Sequence, residues 1–179
     1  GGSTQGIHTG LALCCPPGSK VLVDRNCHRA VFNAMALLDL EPIYLERPWL
    51  GEESLIGPIS PETVENMLCQ CPKIKTVCIT APTYAGVLSD VGTISRLVHA
   101  HGGKLFVDGA HGAHLPFSPD LPPDAGRAGA DLWCVSYHKT LRAMNQTAVT
   151  FASSRVDAER LKRAVNCFQT TSPSYPLLA

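Results

Sequence analysis

Six short apolar runs recur along the chain: Lys20-Val21-Leu22-Val23, Pro42-Ile43-Tyr44-Leu45, Thr76-Val77-Cys78-Ile79-Thr80, Lys104-Leu105-Phe106-Val107, Leu132-Trp133-Cys134-Val135 and Ala148-Val149-Thr150-Phe151. Runs of this length with little alternation predict strands buried on both faces. Between them the apolar positions fall at helical spacing: Ile7, Leu11, Cys14 and Cys15, then Val31, Met35 and Leu38, then Val64, Met67, Leu68 and Cys71, then Val91, Ile94, Leu97 and Val98. Residues 157–168 form one more helical pattern. The punctuation agrees. Pro16-Pro17-Gly18 stops the first helix, Ser60-Pro61-Glu62 reads as N-cap, first helical position and first-turn acid, Asp90 caps the next helix and Gly102-Gly103 ends it. The segment through Trp49, Gly51 and Gly57 reads as a loop. Strands alternating with helices at this spacing predict a three-layer α/β/α fold around a mostly parallel sheet. Ligands of such sheets sit beyond the carboxyl ends of the strands. That rule gathers Ser3, His28, Thr80, Asp108, His111, Ser136, His138 and Lys139 at one edge.

Composition narrows the partners. The 179 residues suit one domain, and 15 basic against 15 acidic residues leave no electrostatic footprint for nucleic acid or an anionic membrane. No apolar run approaches the ~20 residues of a membrane span, and the first residues lack a basic region followed by an apolar core. Cysteines stand at 14, 15, 27, 69, 71, 78, 134 and 167, without the paired C-x-x-C units of a zinc site. They read as reduced, mostly buried thiols of a cytoplasmic protein.

Three features carry chemistry. Lys139, in Ser136-Tyr137-His138-Lys139-Thr140, emerges from an apolar strand, where an amine can form an imine with a carbonyl. Asp108 leaves another apolar strand at the same edge. The turn Gly1-Gly2-Ser3-Thr4 opens a helix, whose free amides and dipole favour an anion. A phosphorylated aldehyde with a ring nitrogen needs those three parts, and pyridoxal 5'-phosphate fits them. A different chemistry, a metal-dependent hydrolase built on Asp108, His111, His114 and His138, is the rival from another class, and no metal is expected there. A catalytically silent assembly domain is the third reading.

Five segments occur in order: Gly2-Ser3-Thr4-Gln5-Gly6, Arg25-Asn26-Cys27-His28-Arg29, Thr80-Ala81-Pro82-Thr83-Tyr84-Ala85-Gly86, Val107-Asp108-Gly109-Ala110-His111-Gly112-Ala113-His114 and Ser136-Tyr137-His138-Lys139-Thr140-Leu141. Together they resemble the major domain of the bacterial ornithine/lysine/arginine decarboxylase family, of the aspartate-aminotransferase fold. The resemblance runs down to Thr170-Thr171-Ser172-Pro173-Ser174-Tyr175. It implies Lys139 as the Schiff-base lysine, Asp108 as partner of the pyridinium nitrogen, and His28 stacked on the ring with Ala110 against its other face. It places Gly2, Ser3, Thr4, Ser136 and His138 around the phosphate and His111 beside the cofactor. It further implies decarboxylation of a basic amino acid, with transamination or a lyase step as the nearest alternatives, and a homodimer or larger assembly with composite sites. Residues 1–179 would then be a cofactor-binding major domain, with an N-terminal segment and a smaller C-terminal domain lying outside it. The chain departs from the family at Gly109, where an acidic residue is usual, and at Ala30, where serine is frequent.

Overall fold

A computed structural model describes residues 1–52, 54–172 and 174–177; Pro173 of the C-terminal motif is outside the described residues. The apolar runs form β1 (Lys20–Asp24), β2 (Glu41–Leu45), β5 (Thr76–Thr80), β6 (Lys104–Asp108), β7 (Leu132–Ser136) and β8 (Ala148–Ala152). Between β2 and β5 lies a short antiparallel hairpin, β3 (Trp49–Leu50) and β4 (Leu55–Ile56). The sequence reading took that stretch for a loop. With two residues to a strand, it offers too short an alternation for a periodicity argument to detect.

The main sheet has the order β2-β1-β5-β6-β7-β8. Neighbouring strands are parallel from β2 to β7, while β8 returns antiparallel to β7. The register sets Thr80 beside Asp108, Asp108 beside Cys134 and Ser136 beside Ala148. Strand ends that carry chemistry are therefore neighbours in space.

Helices cover both faces. On one, α1 (Gly2–Cys14) and α2 (Arg29–Leu37) bury Ile7, Leu11 and Val31 against Val21, Val23, Phe106 and Cys134, with α6 (Ala158–Phe168) packed on α1. On the other, α3 (Pro61–Gln70) and α4 (Val91–Ala100) bury Val64, Leu68, Ile94 and Val98 against Leu22, Val77, Ile79, Leu105 and Val107. Each such side chain withdrawn from water contributes about 1.5–3 kcal/mol. Successive residues of one strand, such as Phe106 and Val107, thus serve different cores.

Helix α1 lies unusually close to the sheet because of its glycines. A Cβ at Gly10 would stand 2.6 Å from Phe106 Cε2, and one at Gly6 would collide with Thr150 Oγ1 and come within 3.0 Å of Cys134 Cβ. This proximity brings the first turn of α1 down to the end of β7. The helix starts at Gly2, earlier than the turn read from the sequence, so Ser3 and Thr4 belong to its first turn.

At the carboxyl ends of β1 and β5, Asp24 meets Arg47, and both side chains are withdrawn from solvent. Arg47 Nε and Nη2 donate to Asp24 Oδ1 and Oδ2 at 3.0 and 2.7 Å, and the guanidinium also donates to the carbonyls of Thr80 and Gly57. One side chain thereby ties two central strands to the base of the hairpin. Ser60 occupies its expected N-cap position without a side-chain hydrogen bond, whereas Asp90 and Asp157 accept from Thr93 N–H and Arg160 N–H. The eight cysteines are unpaired; Cys14, Cys15, Cys78 and Cys134 are buried, but Cys69 and Cys167 are exposed on helix surfaces. Among the described residues no helix is long and apolar enough to cross a membrane.

Candidate active site

Asp108 is the last residue of β6, and it is only 2% exposed. Its Oδ1 accepts the Ala110 amide at 3.1 Å and the Cys134 thiol at 3.7 Å. Among the described residues no cationic nitrogen lies within 4.0 Å of it. Burial pushes its carboxyl above the usual value, opposed by the Ala110 amide and by the charges of His28 and Lys139. A buried carboxylate without a fixed counter-ion is costly, so it favours a cationic group arriving from outside the chain.

Lys139 sits three residues beyond β7. The sequence reading put it at a strand mouth; the chain there winds into a single turn, α5 (Tyr137–Thr140), closed by the Leu141 amide on the Tyr137 carbonyl at 2.8 Å. The lysine is exposed, and its Nζ lies 3.3 Å from His111 Nε2. His111 is half-buried, and burial followed by the charges of Lys139 and His28 holds its ring below the ordinary histidine value. The edge of its ring meets Tyr84, with centroids 5.5 Å apart and planes at 89°.

Ser136 closes β7 with no exposed surface and donates from its Oγ to Ser3 Oγ at 2.9 Å. Ser3 stands in the first turn of α1, where the leading amides have no acceptor within the helix. Gly2 has φ +65°, a left-handed value that glycine adopts without a steric penalty. Thr4, expected to share in the phosphate turn, follows Ser3 in the first turn of α1 and is exposed. His138 Nδ1 donates to the Thr147 carbonyl at 3.0 Å, an acceptor that fixes the proton on that nitrogen. His28 caps α2: its Nδ1 accepts the Ala30 amide at 3.1 Å while the ring remains exposed. Ala110 is buried directly after the Asp108 turn.

The histidines do not form a metal centre with Asp108. Among the described residues no three His, Cys, Asp or Glu side chains lie close enough to hold an ion, and His114 Nδ1 is buried without a hydrogen-bond partner. An apolar cavity of about 260 Å³ lies on the opposite face of β7 from Cys134 and Ser136, lined among others by Gly109, Leu115, Trp133 and Phe151. A groove of about 690 Å³ runs past Gly1, Gly2, Gln146, Thr170 and Ser172 beside the start of α1.

Three residues with a part in this geometry were not legible beforehand. Cys134 was assigned only to the apolar run, although its place opposite Asp108 in the register makes it a neighbour of the carboxylate. Tyr84 and Arg47 lie in loop segments, where no periodicity indicates what they face.

The donor set matches a phosphorylated aldehyde with a basic ring nitrogen. Free amides and the hydrogen-bonded pair of buried Ser136 and half-buried Ser3 suit a phosphate, an exposed amine suits an aldehyde, and a buried, unpaired carboxylate suits a protonated ring nitrogen. Over residues 1–179 the sequence matches the profile described as Orn/Lys/Arg decarboxylase, major domain. The chain belongs to this decarboxylase family. It is 35% identical over 180 residues to the uncharacterised protein YaaO of Bacillus subtilis and 31% identical over 179 residues to the arginine decarboxylase of the same organism. In both alignments 99% of the chain is covered, but only 38% and 36% of the respective relatives. Among solved structures, the lysine decarboxylase LdcF of Francisella novicida superposes with a TM-score of 0.82 at 26% identity, covering 99% of this chain and 26% of that one. The three-layer fold expected from the sequence is the fold of these decarboxylases. At Gly109, where the family was expected to carry an acid, a Cβ would stand 3.1 Å from the Cys134 carbonyl, so a side chain requires that neighbour to shift slightly.

Proposed function

We propose that the chain is the cofactor-binding major domain of a pyridoxal-phosphate-dependent decarboxylase that converts a basic amino acid, arginine, lysine or ornithine, to its amine and carbon dioxide. The observation that carries this reading is the meeting of Ser3 and Ser136, Asp108, and Lys139 at one sheet edge in a chain of the decarboxylase family. The name of the Bacillus subtilis relative makes arginine the first substrate to test.

When bound, pyridoxal phosphate supplies an electron sink for the pair left behind as the substrate carboxylate departs. The residues of the chain divide the remaining work. The α1 amides with Gly2, Ser3, Thr4, Ser136 and His138 would hold the phosphate, and Lys139 would carry the aldehyde carbon covalently until a substrate amine displaces it. Asp108 would keep the ring-nitrogen proton in place, since a buried carboxylate favours the charged ring over the neutral one. His28 and Ala110 would bracket the ring, and His111 would stand beside the reacting amine. Unpaired thiols throughout the chain support a reducing, cytoplasmic setting.

Thr170–Ser172 and Tyr175 follow α6 with exposed side chains, Tyr175 at 77%. That exposure supports a homodimer in which this stretch approaches the partner's cofactor. To test the function, the full-length protein is purified and its visible spectrum recorded, then reduced with borohydride and its peptides mapped. A coloured protein with the cofactor mass fixed on Lys139 is expected. A colourless protein, or label on another lysine, contradicts the proposal.

A further inference from the structure

We propose that His111 is the proton partner of Lys139: its Nε2 takes the proton that the lysine ammonium must lose before the amine can attack a carbonyl, and returns it when that amine is released. The inference rests on the function proposed above and assigns a step within it. Its ground is the contact of 3.3 Å between Lys139 Nζ and His111 Nε2. An ammonium has three N–H groups and no lone pair, so the nitrogen it faces must present one; Nε2 is then bare and the ring proton sits on Nδ1. No carboxylate oxygen lies within 4.0 Å of Lys139 among the described residues, so the imidazole is the base the ammonium meets.

The surroundings keep that base free of a second proton. The titratable or charged groups facing His111 are Lys139 on α5, His28 in the turn between β1 and α2, and Tyr84 in the segment between β5 and α4. Two of these are basic, and with partial burial they disfavour a second proton on the ring. Tyr84 meets the ring at right angles. Asp108 acts on Lys139 and His28 from a distance but makes no hydrogen bond to His111.

The step balances without a co-reactant. One Nζ–H bond of Lys139 breaks and its electron pair stays on Nζ, while an N–H bond forms at His111 Nε2. Release of the lysine reverses both changes. Because His111 touches the reacting amine, its role is catalytic, distinct from the cofactor contact implied by the resemblance.

The test follows capture of pyridoxal 5'-phosphate by cofactor-stripped full-length protein, with the rate read by visible absorbance across pH and the site mapped after borohydride reduction. Wild type is expected to label on Lys139 at a rate that rises through an inflection below the ordinary histidine value of 6.5. His111→Gln, which keeps a polar side chain but cannot take the proton, should still label on Lys139, lose that inflection, and react at least about tenfold more slowly at neutral pH. An unchanged profile in His111→Gln overturns the role of His111 while leaving the cofactor reading intact. Wild type that fails to label on Lys139 overturns the cofactor reading itself, and this step with it. Nitrogen spectra of the His111 ring in the unsubstituted protein provide a check that needs no variant. A proton on Nδ1 with Nε2 bare is expected, and the opposite tautomer contradicts the proposal.

Discussion

Asp108 and Lys139 divide the proposed chemistry between a buried charge and an exposed one, and their substitutions should separate stability from turnover. Lys139 is exposed on a single helical turn, so Lys139→Ala should change stability by no more than ~0.5 kcal/mol while abolishing carbon dioxide release. Decarboxylation at an appreciable fraction of wild type would remove Lys139 from the mechanism. Asp108→Asn keeps the shape and removes the charge. Its kcat should fall on the order of a hundredfold to a thousandfold with KM little changed, because the loss is felt in the transition state. In the cofactor-free protein the same change should act in the other direction on stability. The folded-state carboxyl value is raised, so the folded chain binds its proton more tightly than the unfolded one, and stability declines as pH climbs from the unfolded value through the raised one. Cofactor-free Asp108→Asn should therefore melt higher than wild type at neutral pH, and the difference should shrink as pH falls toward the unfolded carboxyl value. Melting curves separated by a constant gap at all pH values would contradict the burial argument. At this scale the sequence exposed Lys139, Asp108 and Ser136 through the strands they follow. The start of α1 at Gly2 was not legible, because the composition of a Gly-Ser-Thr turn does not say where the helix begins.

Among the elements, α1 positions the site through its glycines. Gly6→Ala would drive a methyl group toward Thr150 and Cys134, so overpacking should cost about 1–3 kcal/mol. It should also lift Ser3 away from Ser136 and weaken cofactor retention, measured as dissociation of bound pyridoxal phosphate during dialysis. Wild-type stability together with wild-type retention would show that the close approach of α1 does not matter. The Arg47 link is a second element-scale device. Removing one partner of a buried ion pair leaves the other uncompensated, so Arg47→Met should destabilise by about 3–5 kcal/mol in urea melts, and Arg47→Lys should rescue little because it cannot span both Asp24 oxygens and two carbonyls. A loss below ~1 kcal/mol would refute the role of the link. The six main strands and their covering helices were legible because their apolar runs and caps agree. The β3–β4 hairpin and Arg47 were not, because two-residue strands have no readable period and an arginine between Glu46 and Pro48 resembles any solvated charge.

For the whole molecule, the sheet turns sequence distance into proximity: Asp108 and Ser136 end the neighbouring parallel strands β6 and β7, α5 follows β7 with Lys139, and α1 brings Ser3 to Ser136. The chain spans little more than a third of the two Bacillus subtilis relatives. Sedimentation of the full-length protein should show at least a dimer, and a fully active monomer would contradict composite sites. The central claim is decarboxylation through Lys139. It is tested most directly by release of labelled carbon dioxide from carboxyl-labelled arginine, lysine and ornithine, using full-length protein loaded with pyridoxal phosphate and its Lys139→Ala variant. Release from at least one of the three by wild type and none by the variant is expected. Release from none of them by a folded, cofactor-loaded wild type, or equal release by the variant, would contradict the claim.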